Sequence, residues 1–375
     1  MQKKMPFSIM NTSFLFGIPI LSLICGVIFY FNFEFQWKFL ALFFFFYIAT
    51  GISITAGYHR LFAHRAYKAS PMIRLMFLLF GAASFQNSAM KWCTDHRRHH
   101  KEVDKEDDPY SINEGFWWAH MGWILRQKDG KYPTSSPDLE KDLLVVWQDK
   151  HYTSIALVMG FVVPTIIGLL LGNAFAGLLF GGLLRILVVH HCTFFINSLC
   201  HFFGKQPYTD ENSAKDSFVM ALFTYGEGYH NFHHKFQGDY RNGIRWYHFD
   251  PTKWLIQILH SLGMARNLVK VPEEEIFKAK LRMQMKRAKV KGFVQSMADH
   301  EALEQFRTKV EIAQRRFRVL KRDYESKKKE LGNRRDEKLQ AMRDEMEAAR
   351  QEFQVNYRSW QVYLKNKMVP PLSKG

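Results

Sequence analysis

The sequence predicts an all-α membrane protein with four transmembrane helices, a histidine-rich site on one side of the membrane and a charged helical extension. Three observations support this fold class. Apolar residues make up 47% of the 375 residues, with 34 phenylalanines among them. Long apolar stretches occur in two pairs, and histidines cluster in a few short motifs between and after them. Residues 271–375 carry 26 Lys and Arg against 16 Asp and Glu, so the polar part of the chain is segregated from the lipophilic part.

The four spans are predicted at residues 14–33, 39–56, 155–171 and 175–196. A helix of about 20 residues crosses a hydrocarbon core of roughly 30 Å. The first stretch is too long for the apolar region of a signal peptide, and no small-residue cleavage site follows it. The apolar segment from Pro71 to Phe85 is shorter, so we expect a helix in the membrane interface or in the protein body rather than a fifth span.

An even number of crossings places both termini and the histidine motifs on the same side of the membrane. Lys and Arg are frequent on that side, whereas the two opposite links carry only Lys38. The positive-inside rule makes that side cytoplasmic. We therefore expect an integral, multi-pass membrane protein whose site and termini face the cytoplasm.

The histidine motifs are HRLFAH, HRRHH, NSLCH and HNFHH. An HxxHH spacing places its imidazoles on one helical face, and it occurs twice. One such motif could be an ordinary polar helix face, but two of them on the same side of the membrane favour a shared site. Residues five apart turn through about 140° on an α-helix, so HRLFAH needs a helix end or a distortion. The candidate ligands are His59, His64, His96, His99, His100, His201, His230, His233 and His234, with Asn197 one turn before His201.

Nine imidazoles exceed the four ligands of a zinc ion, so two metal ions divide them better. The four cysteines lack the clustered spacing of an iron–sulfur site. Imidazole also suits copper, nickel and zinc, but a dinuclear nitrogen-rich site beside lipid favours two iron ions that react with dioxygen. The ferritin-like di-iron pattern combines a Glu from each of two bundle helices with a Glu-x-x-His motif from each of two others, and the sequence lacks this combination.

The ordered motifs HRLFAH, HRRHH, NSLCH and GEGYHNFHH, with DPYSINEGFWWAHMGW after the second, resemble the membrane-bound fatty acid desaturases. The stearoyl-CoA (delta-9) branch is the most similar, and the resemblance covers about residues 53–246. It implies four transmembrane helices under a cytosolic helical cap and a di-iron centre (Fe²⁺/Fe³⁺). It also implies O2-dependent insertion of a cis double bond into an acyl chain, with the nine histidines as iron ligands and Asn197 bound through water.

The same resemblance implies residues along an acyl tunnel. Gln86, Trp92 and Thr193 would shape its kink, and Tyr47 and Gly51 would lie near its closed end. For Trp92 and Tyr47 the alternative is aromatic packing or an interfacial belt.

Asn87 and Asp95 correspond to positions that contact the head group, although Asp95 could instead orient a neighbouring histidine. Thr94 stands where animal acyl-CoA enzymes carry a basic residue, and Tyr110 replaces a histidine found after their second motif. The acyl carrier is therefore either a CoA thioester or a phospholipid.

An unactivated methylene group requires a metal-derived oxidant, because no side-chain base removes its hydrogens. The sequence lacks three electron-carrier signatures: a GxGxxG fingerprint before a helix, a haem-binding motif and a cysteine cluster. A separate ferredoxin or b5-type carrier would therefore supply electrons.

Two functions compete with an acyl desaturase. One is a related di-iron hydroxylase, and the other, from another class, is a non-catalytic membrane scaffold. Lys and Arg are dispersed, so an anionic membrane is favoured over nucleic acid as a partner.

The remaining histidines have plainer explanations. His190 and His191 lie within the fourth span, where we expect polar contacts inside the bundle rather than metal binding. His120, His151, His248, His260 and His300 lack convergent partners in the sequence pattern.

We divide the chain into a desaturase-like domain at residues 1–270 and a tail at residues 271–375. Apolar positions from Leu303 to Tyr324 and from Leu339 to Phe353 recur at three-four spacing, which predicts a coiled coil. Gly332-Asn333 between the two sets allows an antiparallel hairpin, but a continuous helix pairing with a second subunit is an alternative. The tail is thus a dimerising or docking arm, or a solvated helix. The basic run Lys280–Lys291 suits an anionic membrane surface.

Overall fold

The computed structural model describes residues 6–126, 133–290, 297–331 and 337–368. These residues are mostly helical, as predicted. The chain divides into two compact units, the first drawn from Met1–Gln206 and Asp210–Val271 and the second from Pro207–Thr209 and Pro272–Gly375.

The first unit is built from helices and one small pair of strands. Its three shortest helical turns are Ile112–Glu114, Trp118–Gly122 and Trp123–Leu125. Strands β1 (Lys68–Ala69) and β2 (Ala265–Arg266) pair antiparallel, with Lys68 opposite Arg266. Its longer helices are α1 (Ile9–Asn32), α2 (Trp37–Ala63), α3 (Pro71–Ala82), α4 (Ala89–Glu102), α5 (Leu143–Lys150), α6 (Tyr152–Leu170), α7 (Ala174–Phe202), α8 (Phe218–Phe223), α9 (His230–Lys235) and α10 (Pro251–Ser261).

Four helices, α1, α2, α6 and α7, are long and apolar enough to cross a membrane. The four predicted spans are thereby confirmed, and the protein is an integral membrane protein. Helix α2 continues to Ala63 and α7 to Phe202, beyond the predicted ends at residues 56 and 196. The apolar pattern stops at the edge of the lipid, whereas backbone hydrogen bonding continues into the polar region. This extension carries the first histidine motif on a helix.

The segment predicted as a short apolar helix, Pro71–Phe85, forms α3. Its residues Ile73, Phe77 and Leu78 are buried in a core shared with Ile54 and Tyr58 of α2. Helix α3 has twelve residues, too few to cross a bilayer. It therefore packs against the body of the protein, which is one of the two locations predicted for it.

Local capping fixes the helices that lead into the histidine motifs. The Ser88 hydroxyl accepts a hydrogen bond from the Lys91 amide at the start of α4, as an N-cap residue does. At the start of α10, Asp250 accepts from the Lys253 amide at 2.8 Å, with Pro251 in the first helical position. Asp250 is fully buried, and its second carboxylate oxygen faces the histidine-bearing end of α2.

The second unit contains helices α11 (Glu273–Val290), α12 (Met297–Leu331) and α13 (Glu337–Met368). Phe306 contacts Trp360 with ring centroids 6.0 Å apart, and Phe317 stacks on Phe353 at 6.4 Å. The residue number rises from Phe306 to Phe317 along α12, while that of the contacted residue falls from Trp360 to Phe353 along α13, so the two helices are antiparallel. The indole of Trp360, fully buried, also donates to Gln284 of α11 at 2.8 Å.

Of the two arrangements considered for the tail, the structure adopts the antiparallel pair within one chain. Leu281, Leu303, Val310, Trp360 and Leu364 form its buried core. Gly332-Asn333 and Lys291 lie outside the described residues.

Candidate metal centre

Two groups of histidine side chains lie in the first unit, each with ligand-type atoms within 4.8 Å of one another. The nine predicted ligand candidates are the nine histidines of these groups. One group contains His59, His64, His96, His100 and His233, and the other contains His99, His201, His230 and His234.

Four helices bring these side chains together. Helix α2 supplies the first motif at its end, and α4 supplies the second. The last turn of α7 supplies His201, and the six-residue helix α9 supplies the third cluster of histidines. Each HxxHH motif divides its histidines between the groups. His99 and His100 enter different groups, as do His233 and His234, so the two groups share both helices and stand side by side.

The HRLFAH motif converges because the end of α2 is π-helical from Ser53 to Ala63. The His64 amide donates to the His59 carbonyl at 3.0 Å, a bond across five residues that is typical of a π-turn. The two imidazole centroids are 4.7 Å apart. The helix distortion that the spacing required is thus present.

The outer nitrogens of several histidines are held by acceptors. His99 Nδ1 lies 2.8 Å from the Asp108 carboxylate, and His59 Nδ1 lies 3.0 Å from that of Glu227. His201 Nδ1 lies 2.7 Å from the Ser213 hydroxyl. Ser213 itself donates to Asp104, so it accepts from His201. A carboxylate or such a hydroxyl can only accept, which places the proton on Nδ1 and leaves the Nε2 lone pair free.

The Nε2 atoms face one another at the centre of each group. In the first group, His233 Nε2 is 3.0 Å from His59 Nε2 and 2.9 Å from His100 Nε2. In the second, His230 Nε2 is 3.0 Å from His201 Nε2 and 3.1 Å from His234 Nε2. Two nitrogens bound at right angles, each about 2.1 Å from a metal ion, lie about 3.0 Å apart. Lone pairs that face each other repel without a cation between them, so the donor set fits a metal ion in each group.

Protonation does not compete with this role. Outside the membrane-spanning helices, burial lowers the pKa of six of these imidazoles well below the ordinary histidine value, and neighbouring histidines lower it further. The neutral form is the one that binds metals. The six are His64, His96, His100, His230, His233 and His234.

A buried ionic network behind His59 was not predicted from the sequence. Arg60 Nη2 lies 2.9 Å from Glu227 and 3.0 Å from Asp250, and all three side chains are almost fully buried. Burial raises the pKa of Glu227, but His59 and Arg60 outweigh it and hold that pKa at about 2, so the carboxylate stays charged. The only signal in the sequence was an acid in the GEG element just before the third motif. Arg60 lies 167 residues from this acid in the chain.

A cavity of about 720 Å³ reaches the histidine groups. His59, His96 and His230 line it together with Asn197. Apolar side chains from the spans line it elsewhere, among them Phe14, Leu15, Ile54 and Phe194, together with Phe85 from the segment after α3. The cavity has the size and the largely apolar lining of a site for a small lipophilic ligand.

The predicted kink residues line this cavity. Gln86 donates to the Thr193 hydroxyl at 3.0 Å, which joins the segment after α3 to α7. Trp92 stacks on the ligand candidate His96 with ring centroids 4.9 Å apart. Trp92 therefore lies at the cavity wall beside the first histidine group and also packs against neighbouring rings, the aromatic packing given as its alternative.

Asn87 and Asp95 also line the cavity. Asp95 forms ion pairs with Lys91 at 3.1 Å and Arg98 at 3.3 Å. The carboxylate that orients a neighbouring histidine is Asp108. Tyr110 places its hydroxyl 3.2 Å from His96 Nδ1, and burial raises its pKa well above the usual tyrosine value.

Thr94 and the residues predicted near the closed end lie elsewhere. Thr94 is buried and bonds to the Ser136 hydroxyl at 2.9 Å, away from the cavity lining. Tyr47 and Gly51 are also outside the residues that line the described cavity. Both lie beside Tyr225.

Three further histidines make local polar contacts. His190 Nε2 donates to the Ser84 carbonyl at 2.8 Å, the polar contact predicted for this span. His191 Nδ1 is 3.1 Å from His120 Nε2. His120 lies outside both histidine groups, as expected, but the turn at Trp118–Gly122 packs against α7 and gives it this local contact, which sequence spacing does not reveal.

Comparison with known proteins gives a consistent result. The sequence model of the fatty acid desaturase family matches residues 35–266. A probable acyl-CoA desaturase of Schizosaccharomyces pombe is 42% identical over 275 residues, which cover 72% of this chain and 57% of that protein. Acyl-CoA desaturase 1 of Saccharomyces cerevisiae is 41% identical over 244 residues, covering 64% of this chain and 48% of that protein. Human stearoyl-CoA desaturase is 35% identical over 237 residues, covering 61% and 66%.

The chain spans about half the length of the two yeast relatives. The family match nevertheless covers more than half of this chain and includes every histidine of the two groups. The chain therefore belongs to the fatty acid desaturase family.

Proposed function

We propose that this protein catalyses O2-dependent insertion of a double bond into a fatty acyl chain, with two iron ions held by the nine histidines. The observation that carries this proposal is the convergence of facing Nε2 atoms in two groups beside a largely apolar cavity. Bound iron would supply the oxidative chemistry with dioxygen that side chains lack. We propose Asn197, which lines the same cavity, as a ligand through water.

The protein's own residues would bind and position the acyl chain. The apolar lining excludes water, and Trp92 and the bonded pair Gln86–Thr193 would hold the chain bent beside the metal groups. A fixed bend selects which two carbons lie next to the histidines, so regioselectivity follows from positioning. We propose a cis double bond near the delta-9 position, in keeping with relatives named delta(9)-fatty-acid desaturases in Caenorhabditis elegans.

We propose acyl-CoA as the substrate, with a phospholipid-linked chain as the alternative. Lys91, Arg98 and Arg126 line the cavity, and cationic side chains bind phosphates. The yeast relatives are named acyl-CoA desaturases. The residue at position 94 carries little weight in this choice, because Thr94 is buried against Ser136. Labelled palmitoyl-CoA and labelled phosphatidylcholine, offered to the same membranes, distinguish the two carriers.

We further propose that the histidine groups and the helices around them form a cap on the cytoplasmic side, where a ferredoxin or b5-type protein would deliver electrons. Positive residues are frequent on that side of the spans. Cysteine labelling from each side of sealed vesicles tests the orientation. A label at position 101, between the second motif and Asp108, should react from the cytoplasmic side alone.

The reaction itself is tested by acyl-chain analysis of cells that lack their own desaturase. Expression of this protein should yield a cis-monoene, and His233→Ala should abolish it. His260→Ala is the matched control, because His260 is exposed and lies outside both groups.

The same experiment separates the rival functions. A hydroxy acid in place of the monoene would identify a di-iron hydroxylase. An unchanged acyl profile with stable, membrane-inserted protein would favour a non-catalytic scaffold and would overturn the proposal.

For the tail we propose a separate domain at residues 271–375 that dimerises or docks a partner through a coiled coil. The division of the chain after Val271 and the antiparallel pairing of α12 with α13 support a separate helical domain. Cross-linking of the full-length protein, compared with a variant that lacks residues 271–375, tests this proposal. If the tail docks a partner or a second subunit, the cross-linked product should disappear in the shortened variant.

A further inference from the structure

The segment between α7 and α9 contains an apolar stretch that belongs to none of the four spans. Residues 217–226 have the sequence SFVMALFTYG, with no charged residue among them. Lys215 and Asp216 precede the stretch, and Glu227 follows it. It is too short to cross a bilayer, and a short apolar segment of this kind is either buried in protein or partly inserted in the lipid. The exposure of its side chains bears on which of the two applies.

Helix α8 within this stretch exposes an apolar face. Four of its large side chains are between 44% and 58% exposed, namely Phe218, Val219, Leu222 and Phe223. They form two pairs at a spacing of four residues, so they lie on one side of the helix. Met220 and Ala221 are buried against the protein. An exposed patch of large apolar side chains marks a site of contact with a membrane or with another protein.

Contacts with the second span place the end of α8 at the depth of the lipid. The Tyr47 hydroxyl donates to the Phe223 carbonyl at 3.5 Å, and the Tyr225 hydroxyl donates to the Tyr47 carbonyl at 3.0 Å. Tyr47 lies in the middle of the predicted second span. His59 lies about 18 Å further along the axis of α2, at the rise per residue of an α-helix. Phe223 is therefore level with the lipid-embedded part of α2 and not with its histidine-bearing end.

The backbone of the stretch meets the condition that lipid imposes, because polar groups in hydrocarbon need partners within the protein. The Thr224 amide donates to the Met220 carbonyl at 3.0 Å, and the Gly226 amide donates to the Ala221 carbonyl at 2.9 Å. The residues that follow the helix, from position 224 to position 226, are buried. At the base of the stretch, the Ser217 amide donates to the Gly228 carbonyl at 2.8 Å. The chain thus enters and leaves at neighbouring points.

From these observations we propose that residues 217–226 form a re-entrant membrane element whose exposed face is covered by lipid acyl chains. The element enters the lipid from the side that carries the histidine groups and returns to that side before Glu227, which holds His59. His230 of the second group follows shortly afterwards, so the element anchors the third histidine motif to the membrane. This inference goes beyond the proposed function, because it holds whatever reaction the histidine groups support.

Fluorescence quenching from the lipid and from the water tests the position of this face. Single cysteines are introduced as Val219→Cys or Leu222→Cys in a Cys25→Ala background, because the other three cysteines are buried. The full-length protein is labelled with bimane and reconstituted in vesicles of phosphatidylcholine and phosphatidylglycerol. Ile48→Cys on the exposed side of α2 is the lipid reference, and Lys101→Cys is the water reference. Phospholipid with a spin label on its acyl chain should quench positions 219 and 222 as it quenches position 48, and aqueous iodide should quench position 101 alone.

Two other results of this experiment would overturn the proposal. If iodide quenches positions 219 and 222 as strongly as position 101, the face of α8 lies in water. If neither quencher reaches them, another part of the chain or a second copy covers the face. Only quenching by the spin-labelled lipid together with protection from iodide supports a re-entrant element. None of these outcomes depends on metal content or on catalytic activity.

A pair of substitutions at position 219 gives a readout that needs no label. Val219 belongs to neither histidine group and is not among the residues that line the described cavity. Val219→Lys places a charge on the exposed face, which is costly in hydrocarbon but nearly neutral at a water-exposed position. Val219→Leu keeps the face apolar and serves as the matched control. In the same vesicles, Val219→Lys should lower the thermal unfolding midpoint while Val219→Leu leaves it unchanged, and equal midpoints for the two variants would contradict the proposal.

Discussion

The carboxylate of Glu227 provides a sharp test of how the metal centre is organised. In Glu227→Gln the amide keeps the shape of the side chain. If its oxygen continues to accept from Arg60, its NH2 group faces His59 Nδ1, which lies 3.0 Å from Glu227 Oε2. Two donors cannot share that contact, so His59 would turn its proton to Nε2 and lose the lone pair that faces His233.

The expected loss follows from the position of Glu227 behind the ligand. Removing an outer partner of a metal-bound histidine typically lowers metal affinity about 10–100-fold. That corresponds to about 1.4–2.7 kcal/mol of binding free energy. We expect Glu227→Gln to release iron at a correspondingly lower chelator concentration, measured as metal per chain after equilibration against a graded series.

Asp250→Asn is the matched control for this prediction. It removes a charge from the same Arg60 network but does not contact His59. It should therefore lower thermal stability without a comparable change in iron affinity. The reasoning is refuted if Glu227→Gln keeps the wild-type affinity, or if Asp250→Asn loses as much iron.

Three further predictions address other parts of the molecule. His233→Ala and His234→Ala each remove a ligand from a different group, so each should lower the bound iron from two ions per chain towards one; loss of both ions in either variant would argue for a single shared site. Thr193→Val removes the acceptor of the Gln86 bond and should broaden the distribution of double-bond positions, read by mass spectrometry of the products. Trp360→Ala should destabilise the second unit by about 3–5 kcal/mol, because its side chain is fully buried. Limited proteolysis should then cut that unit first, while iron content stays at the wild-type level.

Much of the site could be predicted because its signal lies in local spacing. The HxxHH motifs place His96, His99 and His100 on one turn of a helix wherever that helix packs. The HRLFAH spacing did not fit a straight α-helix, and that misfit correctly indicated a distortion, which the π-helical end of α2 supplies. Periodicity also predicted the spans, since apolar length is a sequence property.

The residues that sequence reasoning missed depend on contacts distant in the chain. Arg60 lies within the first motif, but its partners Glu227 and Asp250 come from segments 167 and 190 residues later. A buried arginine is tolerable only when those carboxylates reach it, and no local pattern reports that they do. Asp95 is a second example. Its position next to the second motif suggested, as one alternative, that it orients a neighbouring histidine. In the structure Asp95 pairs with Lys91, and Asp108 makes the contact with His99.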